Sequence, residues 1–295
     1  MIIIQLNGGL GNQMFQYALG RNLSLKHRTK LLFDTTSFLD QAHTDTKRDY
    51  QLSVYNLPVD IAPEKIISYY GRPNKYALYL NKLLNININP YPPNYFKEKS
   101  FEFNPEVLEV SGNAYLSGYW QSENYFLSIR QRLLSDFSRR NKARSAENTN
   151  LSNEIKNSTS VSLHIRRTDF VTNSRAQKYH GNLEISYYQR AMSLIERKIK
   201  KPTYYAFSDD PDWTSKNLKS KNQIIYISNN LGADSHEDLR LMSECKHNII
   251  ANSSFSWWGA WLNSNTDKIV ISPSNWFSRQ TINTTDLIPA GWLKI

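Results

Sequence analysis

Apolar runs of strand length alternate with helix-like stretches through the second half of the chain, and this alternation restricts the fold more than any other feature. The runs lie at 161–165, 203–207, 223–227, 248–251 and 268–272. The stretches between them carry apolar residues at helical spacing, as in Ile185, Tyr188, Met192 and Ile195. Strands that alternate with helices predict a parallel α/β sheet with right-handed crossovers. Ligands of such sheets bind at the carboxyl ends of the strands.

The first half begins with the same pattern. The run "IIIQL" at 2–6 predicts a strand, "NGGLGN" a glycine-rich loop, and the next stretch a helix, with a second strand at 30–34. A polar stretch at 138–160 predicts a connection between domains. The sequence therefore predicts two α/β domains, residues 1–145 and 146–295, with a cleft between them.

A less regular, proline-containing segment contains one amphipathic stretch, "KYALYLNKLL" at 75–84. Its apolar face consists of Tyr76, Tyr79, Leu80, Leu83 and Leu84. We expect a core helix here; docking of this face on a membrane surface is the alternative.

Composition restricts the class of protein. With 40% apolar residues the chain is globular, and no run approaches the ~20 apolar residues of a membrane span. The N-terminus lacks the basic region of a signal peptide. Cys245 is the single cysteine, which excludes an internal disulfide and fits a reducing compartment. We therefore expect a cytoplasmic protein, and peripheral contact with the inner face of the cytoplasmic membrane stays open.

The charge is strongly basic, with 36 Lys and Arg against 26 Asp and Glu and a net charge of +10. Such a charge favours anionic partners, which are nucleic acids, membrane surfaces or phosphorylated small molecules. The basic clusters at 26–30, 139–144 and 197–201 are typical of solvated helix ends. Neither an RNA-recognition signature nor zinc-ligand spacing is present, so no nucleic-acid partner is expected.

Two adjacent arginines follow the first strand of the second half, in "LHIRRTDF" at 163–170. An arginine at the carboxyl end of a strand offers a planar fork that matches phosphate. In extended backbone the neighbours point to opposite faces. We assign Arg166 to the ligand, with His164 on the same side, and Arg167 to a brace with Asp169, although the sequence leaves open which arginine is which. The alternative is a purely structural pair of salt bridges.

The next strand ends in "FSDDPDW" at 207–213. Asp210, Pro211 and Asp212 match the D-x-D pattern of a divalent metal site. They also match a helix start, with Asp210 as N-cap and Pro211 at the first helical position, and we favour the helix start. Asp209 or Asp210 is also a candidate acceptor for the N–H groups of a guanine.

A further strand ends in "ANSSFSWWGAW" at 251–261. Ser253, Ser254 and Ser256, together with backbone N–H groups at a helix start, predict an anion-binding turn. The tryptophans that follow, Trp257, Trp258 and Trp261, are either core residues, as we expect, or a wall on which a sugar stacks.

The N-terminal "NGGLGNQ" is similar to a dinucleotide-binding loop, and Asp34 ends the second strand where such proteins place a ribose-binding acid. Counted from Gly9, the third glycine of that fingerprint is Met14. A side chain at this place obstructs the close packing of helix on strand, so the dinucleotide pattern is weak.

Together these pieces resemble the bacterial α-1,2-fucosyltransferases of glycosyltransferase family 11. The matching stretches are "GGLGNQMFQYA" (8–18), "GYWQSENYF" (118–126), "HIRRTDF" (164–170), "FSDD" (207–210) and "NSSFSWWGAW" (252–261). They span most of the chain. Thr168 stands where family members often have glycine. The resemblance implies an α/β fold of GT-B type, in which two Rossmann-like domains with parallel sheets face a central cleft. The first domain then lies on the acceptor side and the second binds GDP-fucose.

The resemblance also implies an inverting transfer of L-fucose from GDP-fucose to the 2-hydroxyl of a terminal galactose, in surface polysaccharide or O-antigen synthesis. No metal or other cofactor is implied. The implied roles are Arg166 at the pyrophosphate, His164 against the nucleotide, Asp210 on guanine, Ser253, Ser254 and Phe255 by the phosphates, and Gly9, Gly11 and Asn12 in the loop that faces the fucose. Whether the galactose-containing glycan is lipid-linked stays open.

The chemistry agrees with this arrangement, because a fixed guanidinium can stabilise a diphosphate leaving group in place of a metal ion. Asp169 is one candidate for the base, and the leaving phosphate is the other. Two other classes of protein stay open from the residues alone. One is a nucleotide-dependent oxidoreductase that uses the glycine loop and Asp34, and the other is a non-catalytic protein that binds carbohydrate or membrane.

Overall fold

The computed structural model of the protein describes residues 1–39, 41, 47–138, 145–167, 181, 183–278 and 282–295. The chain divides into two compact units, Met1–Arg139 and Arg140–Ile295. The sequence-based boundary after residue 145 lies slightly further along, where a helix begins at Ala146. Each unit contains one sheet.

Among its described residues, the first unit has five parallel strands in the order β3-β2-β1-β5-β4. The strands are β1 (Ile2–Gln5), β2 (Leu31–Asp34), β3 (Asp60–Ile61), β4 (Tyr95–Lys97) and β5 (Ala114–Ser117). The helices are α1 (Leu10–Lys26), α2 (Glu64–Gly71), α3 (Lys75–Leu84) and α4 (Arg130–Asp136). The order changes direction between β1 and β5, so the loops after these two strands meet at one edge of the sheet.

Helix α1 lies very close to the sheet at Gly20. A β-carbon on Gly20 would stand 2.5 Å from Cγ1 of Ile4 and 2.7 Å from Cδ1 of Leu31. In the dinucleotide fingerprint, the third glycine allows the helix to approach the strand closely. Here α1 makes that close approach further along, at Gly20. Met14, at the fingerprint position, is fully buried in the core instead.

Helix α3 is not a core helix, which corrects the expectation from its amphipathic pattern. None of its residues is buried, and Tyr76 is 82% exposed. One core cluster of the first unit consists of Ile3, Leu32, Ala62, Ile67 and Tyr115, and α2 covers it by supplying Ile67. The apolar face of α3 therefore has no core surface of its own to cover.

In the part of the second unit that the structure describes, six parallel strands lie in the order β11-β10-β9-β6-β7-β8. The strands are β6 (Ser160–Ile165), β7 (Thr203–Ser208), β8 (Ile224–Ile227), β9 (His247–Ile249), β10 (Val270–Ser272) and β11 (Leu293–Lys294). The helices are α5 (Ala146–Asn157), α6 (Ile185–Lys198), α7 (Pro211–Asn217), α8 (Ser235–Glu244) and α9 (Ser254–Leu262). All five predicted strands are present, and the prediction of an α/β fold with two Rossmann-like parallel sheets is confirmed.

Helix α5 occupies most of the polar stretch that predicted an interdomain connection. Ser145 caps this helix, because its hydroxyl accepts a hydrogen bond from the Asn148 N–H at 3.1 Å. A polar sequence can form a helix when it is capped and packs against the protein through buried residues, here Asn148, Ser152 and Ile155.

The strand order of the second unit changes direction between β6 and β9. Strands β7 and β8 continue to one side of β6, while β9, β10 and β11 continue to the other. Ligands of open parallel sheets bind at this position, outside the carboxyl ends of the strands. The ends of β6 and β9 are the places where Arg166 and the serine-rich turn were predicted to act.

Two further properties concern the whole described chain. Among the described residues, no helix combines the length and apolar character that crossing a membrane requires. Cys245 directly follows helix α8 and is buried, and burial raises the pKa of its thiol well above the usual value.

Candidate active site

Arg166 is held at the end of β6 by a carboxylate that the neighbouring strand supplies. β6 and β7 are parallel, with Ile165 opposite Ser208, so the residues that follow, Arg166 and Asp209, emerge side by side. Arg166 Nη1 lies 3.0 Å from Asp209 Oδ2. The ion pair fixes the guanidinium beyond the end of a central strand, where parallel sheets bind ligands.

Arg167 makes a different set of contacts. Its backbone N–H donates to Asp209 Oδ1 at 2.8 Å. Its guanidinium carbon lies 3.4 Å from the centre of the Trp213 ring, and its Nε lies 3.6 Å from Asp210 Oδ2. These contacts give Arg167 the bracing surroundings expected of it, with Asp210 and Trp213 as described partners. Asp169, the expected partner and the candidate base, lies outside the described residues.

Asp209 is the residue whose role the sequence analysis missed. Its two carboxylate oxygens contact both arginine positions, one the Arg166 side chain and the other the Arg167 backbone. From the sequence, this aspartate is a candidate only for guanine recognition. The available signal was that two neighbouring strands end in Arg-Arg and Asp-Asp, which parallel pairing in register brings together.

His164 is buried on β6 and is uncharged at neutral pH. Burial lowers its pKa to about 4; nearby Asp209 opposes this effect and Arg166 adds to it. Its ring centre lies 5.7 Å from that of Phe255 at the start of α9. Its Nδ1 has no hydrogen-bond partner among the described residues. A neutral imidazole with an unused nitrogen thus lies beside the arginine site.

Asp210 is the N-cap of α7, as predicted. Its Oδ1 accepts the Trp213 N–H at 3.1 Å, and Pro211 is the first helical residue. The Asp210 N–H in turn donates to Ser208 Oγ at 3.0 Å. Among the described residues, no group of three or more His, Cys, Asp and Glu side chains is arranged to hold a metal ion. The guanine-binding role of Asp210 stays a prediction.

The serine-rich turn forms the start of α9. Ser253 is the N-cap residue and its side chain makes no capping hydrogen bond, while Ser254 and Phe255 begin the helix half-exposed. Ser256 is fully buried and its hydroxyl accepts the Ala251 N–H at 3.2 Å, so this serine is structural. Because the first N–H groups of a helix lack partners within the helix, the turn can receive an anion.

The tryptophans of α9 are core residues, as expected. Trp257, Trp258 and Trp261 are each at most 2% exposed. The rings of Trp257 and Trp261 are stacked, and the Trp258 ring meets both of them edge-on. The indole N–H of Trp257 donates to the Leu287 carbonyl at 2.8 Å. Burial of this kind leaves no face on which a sugar could stack.

The glycine loop of the first unit has one position that only glycine suits. Gly8 has φ +72°, and a β-carbon there would stand 2.4 Å from Nδ2 of Asn12. Gly9 is the N-cap of α1, and the Asn12 N–H donates to its carbonyl at 2.9 Å. The loop therefore folds Asn12 back over Gly8, with Gly11 in the first turn of the helix.

The stretch that follows β5 packs directly on this loop, a contact that the sequence did not predict. The Gln121 Nε2 donates to Asn12 Oδ1 at 2.8 Å. The Gln16 Nε2 donates to the Gly118 carbonyl at 2.9 Å, and its Oε1 accepts the Asn7 N–H. Two stretches a hundred residues apart in sequence thus form one site at the switch point of the first sheet.

Asp34 has a structural role in the first unit. Its Oδ1 accepts hydrogen bonds from the Thr36 N–H at 2.8 Å and the Thr36 hydroxyl at 2.7 Å. Its Oδ2 accepts from the Tyr115 hydroxyl, and the side chain is buried. A ribose-binding acid needs an accessible oxygen, so this geometry argues against the dinucleotide interpretation.

The chain is similar in sequence to known glycosyltransferases. A family model described as glycosyl transferase family 11 matches residues 77–295. The O-antigen biosynthesis glycosyltransferase WbnK of Escherichia coli is 36% identical over 98% of this chain and 99% of its own length. An α-1,2-colitosyltransferase of Escherichia coli is 34% identical over 100% of this chain and 99% of its own length.

A more distant relative is the galactoside 2-α-L-fucosyltransferase Sec1 of Mus musculus, which is 23% identical over 89% of this chain and 64% of its own length. The two bacterial relatives and the family model each cover well over half of the chain. The chain therefore belongs to glycosyl transferase family 11.

Proposed function

We propose that the protein transfers L-fucose from GDP-fucose, with inversion, to the 2-hydroxyl of a terminal galactose in a glycan of the cell surface, such as an O-antigen. The observation that carries this proposal is the Arg166 guanidinium, held 3.0 Å from Asp209 at the carboxyl end of β6. Family membership supports a glycosyltransferase, and the fucosyltransferase and O-antigen relatives support the sugar and the glycan.

The chemistry assigned to Arg166 is stabilisation of the leaving group. The bond between fucose C1 and the β-phosphate oxygen breaks, and the β-phosphate of GDP gains negative charge. A guanidinium that is already in place needs no reorganisation at that moment, and in many enzymes such preorganised charge contributes most of the rate acceleration. We expect no requirement for a divalent metal, because Arg166 supplies the positive charge.

The neighbours of Arg166 complete the proposed donor site. His164 lies against the nucleotide, and because it is neutral it adds no second fixed charge. The turn formed by Ser253, Ser254 and Phe255 offers backbone N–H groups to the phosphates. The ring contact between His164 and Phe255 places the two segments next to each other.

Guanine recognition is assigned to Asp210. Both aspartates after β7 have protein partners, but the Asp210 side chain is 35% exposed and the Asp209 side chain only 19%. A carboxylate has about four lone-pair sites. Asp210 therefore has room for the N1–H and N2–H groups of guanine besides the Trp213 N–H.

The acceptor hydroxyl attacks C1 from the face opposite the phosphate, and its proton passes to a base. Asp169 and the departing phosphate are the two candidates for that base. Asn12, Gly9 and Gly11 form the loop that we assign to the fucosyl group. The contact between Asn12 and Gln121 fixes the amide orientation that such a role requires.

A second candidate donor follows from the relative named as an α-1,2-colitosyltransferase, which matches the whole chain. Colitose is fucose without the 3-hydroxyl. A site that hydrogen-bonds this hydroxyl rejects the deoxy sugar by about 10⁴, whereas a merely apolar pocket discriminates weakly. The ratio of kcat/KM for the two donors therefore decides between them.

The test is product analysis with purified protein, GDP-fucose or GDP-colitose, and a small panel of galactosides. We expect an α-1,2-fucosylated galactoside, identified by mass and by the linkage in NMR spectra. Transfer of colitose alone would replace the donor assignment. Binding of GDP without any transfer to any acceptor would contradict the proposed reaction.

A further inference from the structure

Helix α3 and the residues after it expose a continuous set of large apolar side chains, which we call the docking face. It consists of Tyr76, Tyr79, Leu80, Leu83, Leu84, Ile86 and Ile88. The five helical members follow the spacing of one helix side, and Leu83 is 62% exposed. Scattered exposed apolar residues are ordinary, but a contiguous set indicates an interaction surface.

The docking face is built by local hydrogen bonds. Asn74 caps α3 by accepting the Tyr76 and Ala77 N–H groups at 2.9 and 3.3 Å. Asn85 ends the helix in the left-handed conformation. The Asn81 amide then bonds both the carbonyl and the N–H of Ile88, at 2.7 and 2.8 Å. The exposed side chains therefore sit on an ordered support.

The charged residues of the segment that carries the docking face have one sign. No acidic residue occurs between Arg72 and Lys97. Lys75 and Lys82 are exposed and seven residues apart, which places them together along the Tyr79 edge of the apolar face. The chain as a whole carries +10. An apolar face edged with lysines complements a surface that is apolar beneath and anionic outside.

We propose that the docking face binds the surface of an anionic lipid bilayer, with α3 lying in the plane of the interface. The leucines enter the boundary of the acyl chains, the tyrosines lie at the headgroup level, and the lysines contact anionic headgroups. A second copy of this chain is a poorer occupant. Two-fold pairing of this face would bring the lysine edges of both copies into one interface of like charge.

Flotation of the full chain with lipid vesicles tests the proposal. We expect flotation with vesicles of equal parts phosphatidylglycerol and phosphatidylcholine, and little with phosphatidylcholine alone. Leu83→Glu should lower the partition constant for vesicle binding by roughly tenfold or more, because it places a charge in the apolar boundary. Leu231→Glu is the matched control, since Leu231 is 58% exposed in the second unit, and it should bind as the unmodified chain does.

A charge-reversal pair separates this face from general basicity. Lys75→Glu with Lys82→Glu should weaken binding strongly, while Lys216→Glu with Lys219→Glu, which changes the net charge equally, should not. Equal losses from both pairs would overturn the proposal. So would unchanged flotation of Leu83→Glu, or a dimer without vesicles that Leu83→Glu dissociates, which would assign the face to a second copy. Melting temperatures verify that each variant is folded.

Discussion

Arg166 and Arg167 are consecutive, yet their side chains contact different residues. Arg166 faces Asp209 beyond the strand, while Arg167 lies on the Trp213 ring with Asp210 beside it. Lysine in place of Arg166 keeps the charge but loses the planar pair of donors. We expect Arg166→Lys and Arg166→Ala to lower kcat by ~10²–10³, the scale of losing one donor that stabilises an oxyanion.

Arg167→Lys is the control for that experiment. It should retain most of kcat and lower the melting temperature, because the stacking contact with Trp213 is lost. The measurements are kcat, GDP affinity and thermal unfolding for all three variants. If Arg166→Lys retains most of its turnover, the charge alone matters. If Arg167 shows the catalytic loss, the two roles are exchanged.

Asp210 caps a helix and is proposed to bind guanine, and a pair of substitutions separates these two roles. Asp210→Ala removes the cap and the guanine acceptor, so GDP binding should weaken by ~1.5–3 kcal/mol and stability by about 1 kcal/mol. Asp210→Ser keeps an N-cap oxygen but is too short to reach a base. It should stay stable and still lose the preference for GDP over ADP, as measured by calorimetry. Equal losses for both nucleotides would leave Asp210 as a cap only.

His164 makes stability depend on pH in a defined direction. Its folded pKa, about 4, is below the usual 6.5, so protonation favours the unfolded chain. The stabilisation is complete above pH 6.5 and declines as the pH falls toward 4. Between pH 8 and pH 5 this group should remove about 2 kcal/mol of unfolding free energy.

Urea unfolding of the protein and of His164→Gln at both pH values measures this difference. Between pH 8 and pH 5, the unfolding free energy of the variant should fall by less than that of the unmodified protein, because the variant lacks the contribution of His164. This difference does not depend on how stable the variant is at pH 8. An identical pH dependence in both proteins would show that His164 titrates normally when folded.

The order of residues in the sequence is enough to suggest that an arginine binds a nucleotide. It is not enough to predict that Asp209 contacts Arg166 and Arg167. Nothing in "FSDD" says that the strand it follows lies beside β6. That information is in the register, Ile165 opposite Ser208, which depends on the packing of the whole sheet. The N-cap at Asp210 was predictable because a cap depends only on its near neighbours in sequence.

At the scale of elements, the loops after β1 and β5 support each other through Asn12 and Gln121. Asn12→Ala should therefore leave GDP binding nearly normal while kcat falls strongly. Gly8→Ala should act in the same direction. Its β-carbon would stand 2.4 Å from Nδ2 of Asn12 and would therefore displace the Asn12 amide. Kinetics and calorimetry on both variants test this.

Gly232→Ala is a matched control, since Gly232 also has positive φ but has no atom within 4 Å of an added β-carbon. Both alanines should cost about 1 kcal/mol of stability through backbone strain. Normal turnover of Gly8→Ala would exclude the loop from the site.

The hydrophobic periodicity of the sequence predicted the strands and helices well, but it predicted less well which of them are buried. The five apolar runs of the second unit became parallel strands because buried strands need continuous apolar sequence, which is visible locally. Helix α3 has an equally clear apolar face, yet it is exposed. An apolar face indicates that some surface packs on it, but the helix sequence does not say which surface. The core of the first unit is not that surface, because α2 already covers it.

At the scale of the whole molecule, the dependence on metal ions tests the proposed chemistry. In the proposed reaction Arg166 supplies the positive charge, and Asp210, the first acid of the D-x-D pattern, caps a helix. We expect fucosyl transfer to proceed at an undiminished rate in EDTA. Turnover that EDTA abolishes and Mn²⁺ or Mg²⁺ restores would assign residues 210–212 to a metal site instead.

The single buried thiol of Cys245 makes the protein a convenient host for spectroscopic probes. Its high thiol pKa and lack of exposure keep the native cysteine unreactive toward maleimides. A cysteine introduced at an exposed position, such as Leu83→Cys, would thus be labelled alone without removing the natural one. A nitroxide or fluorophore at that position would measure depth in a bilayer directly.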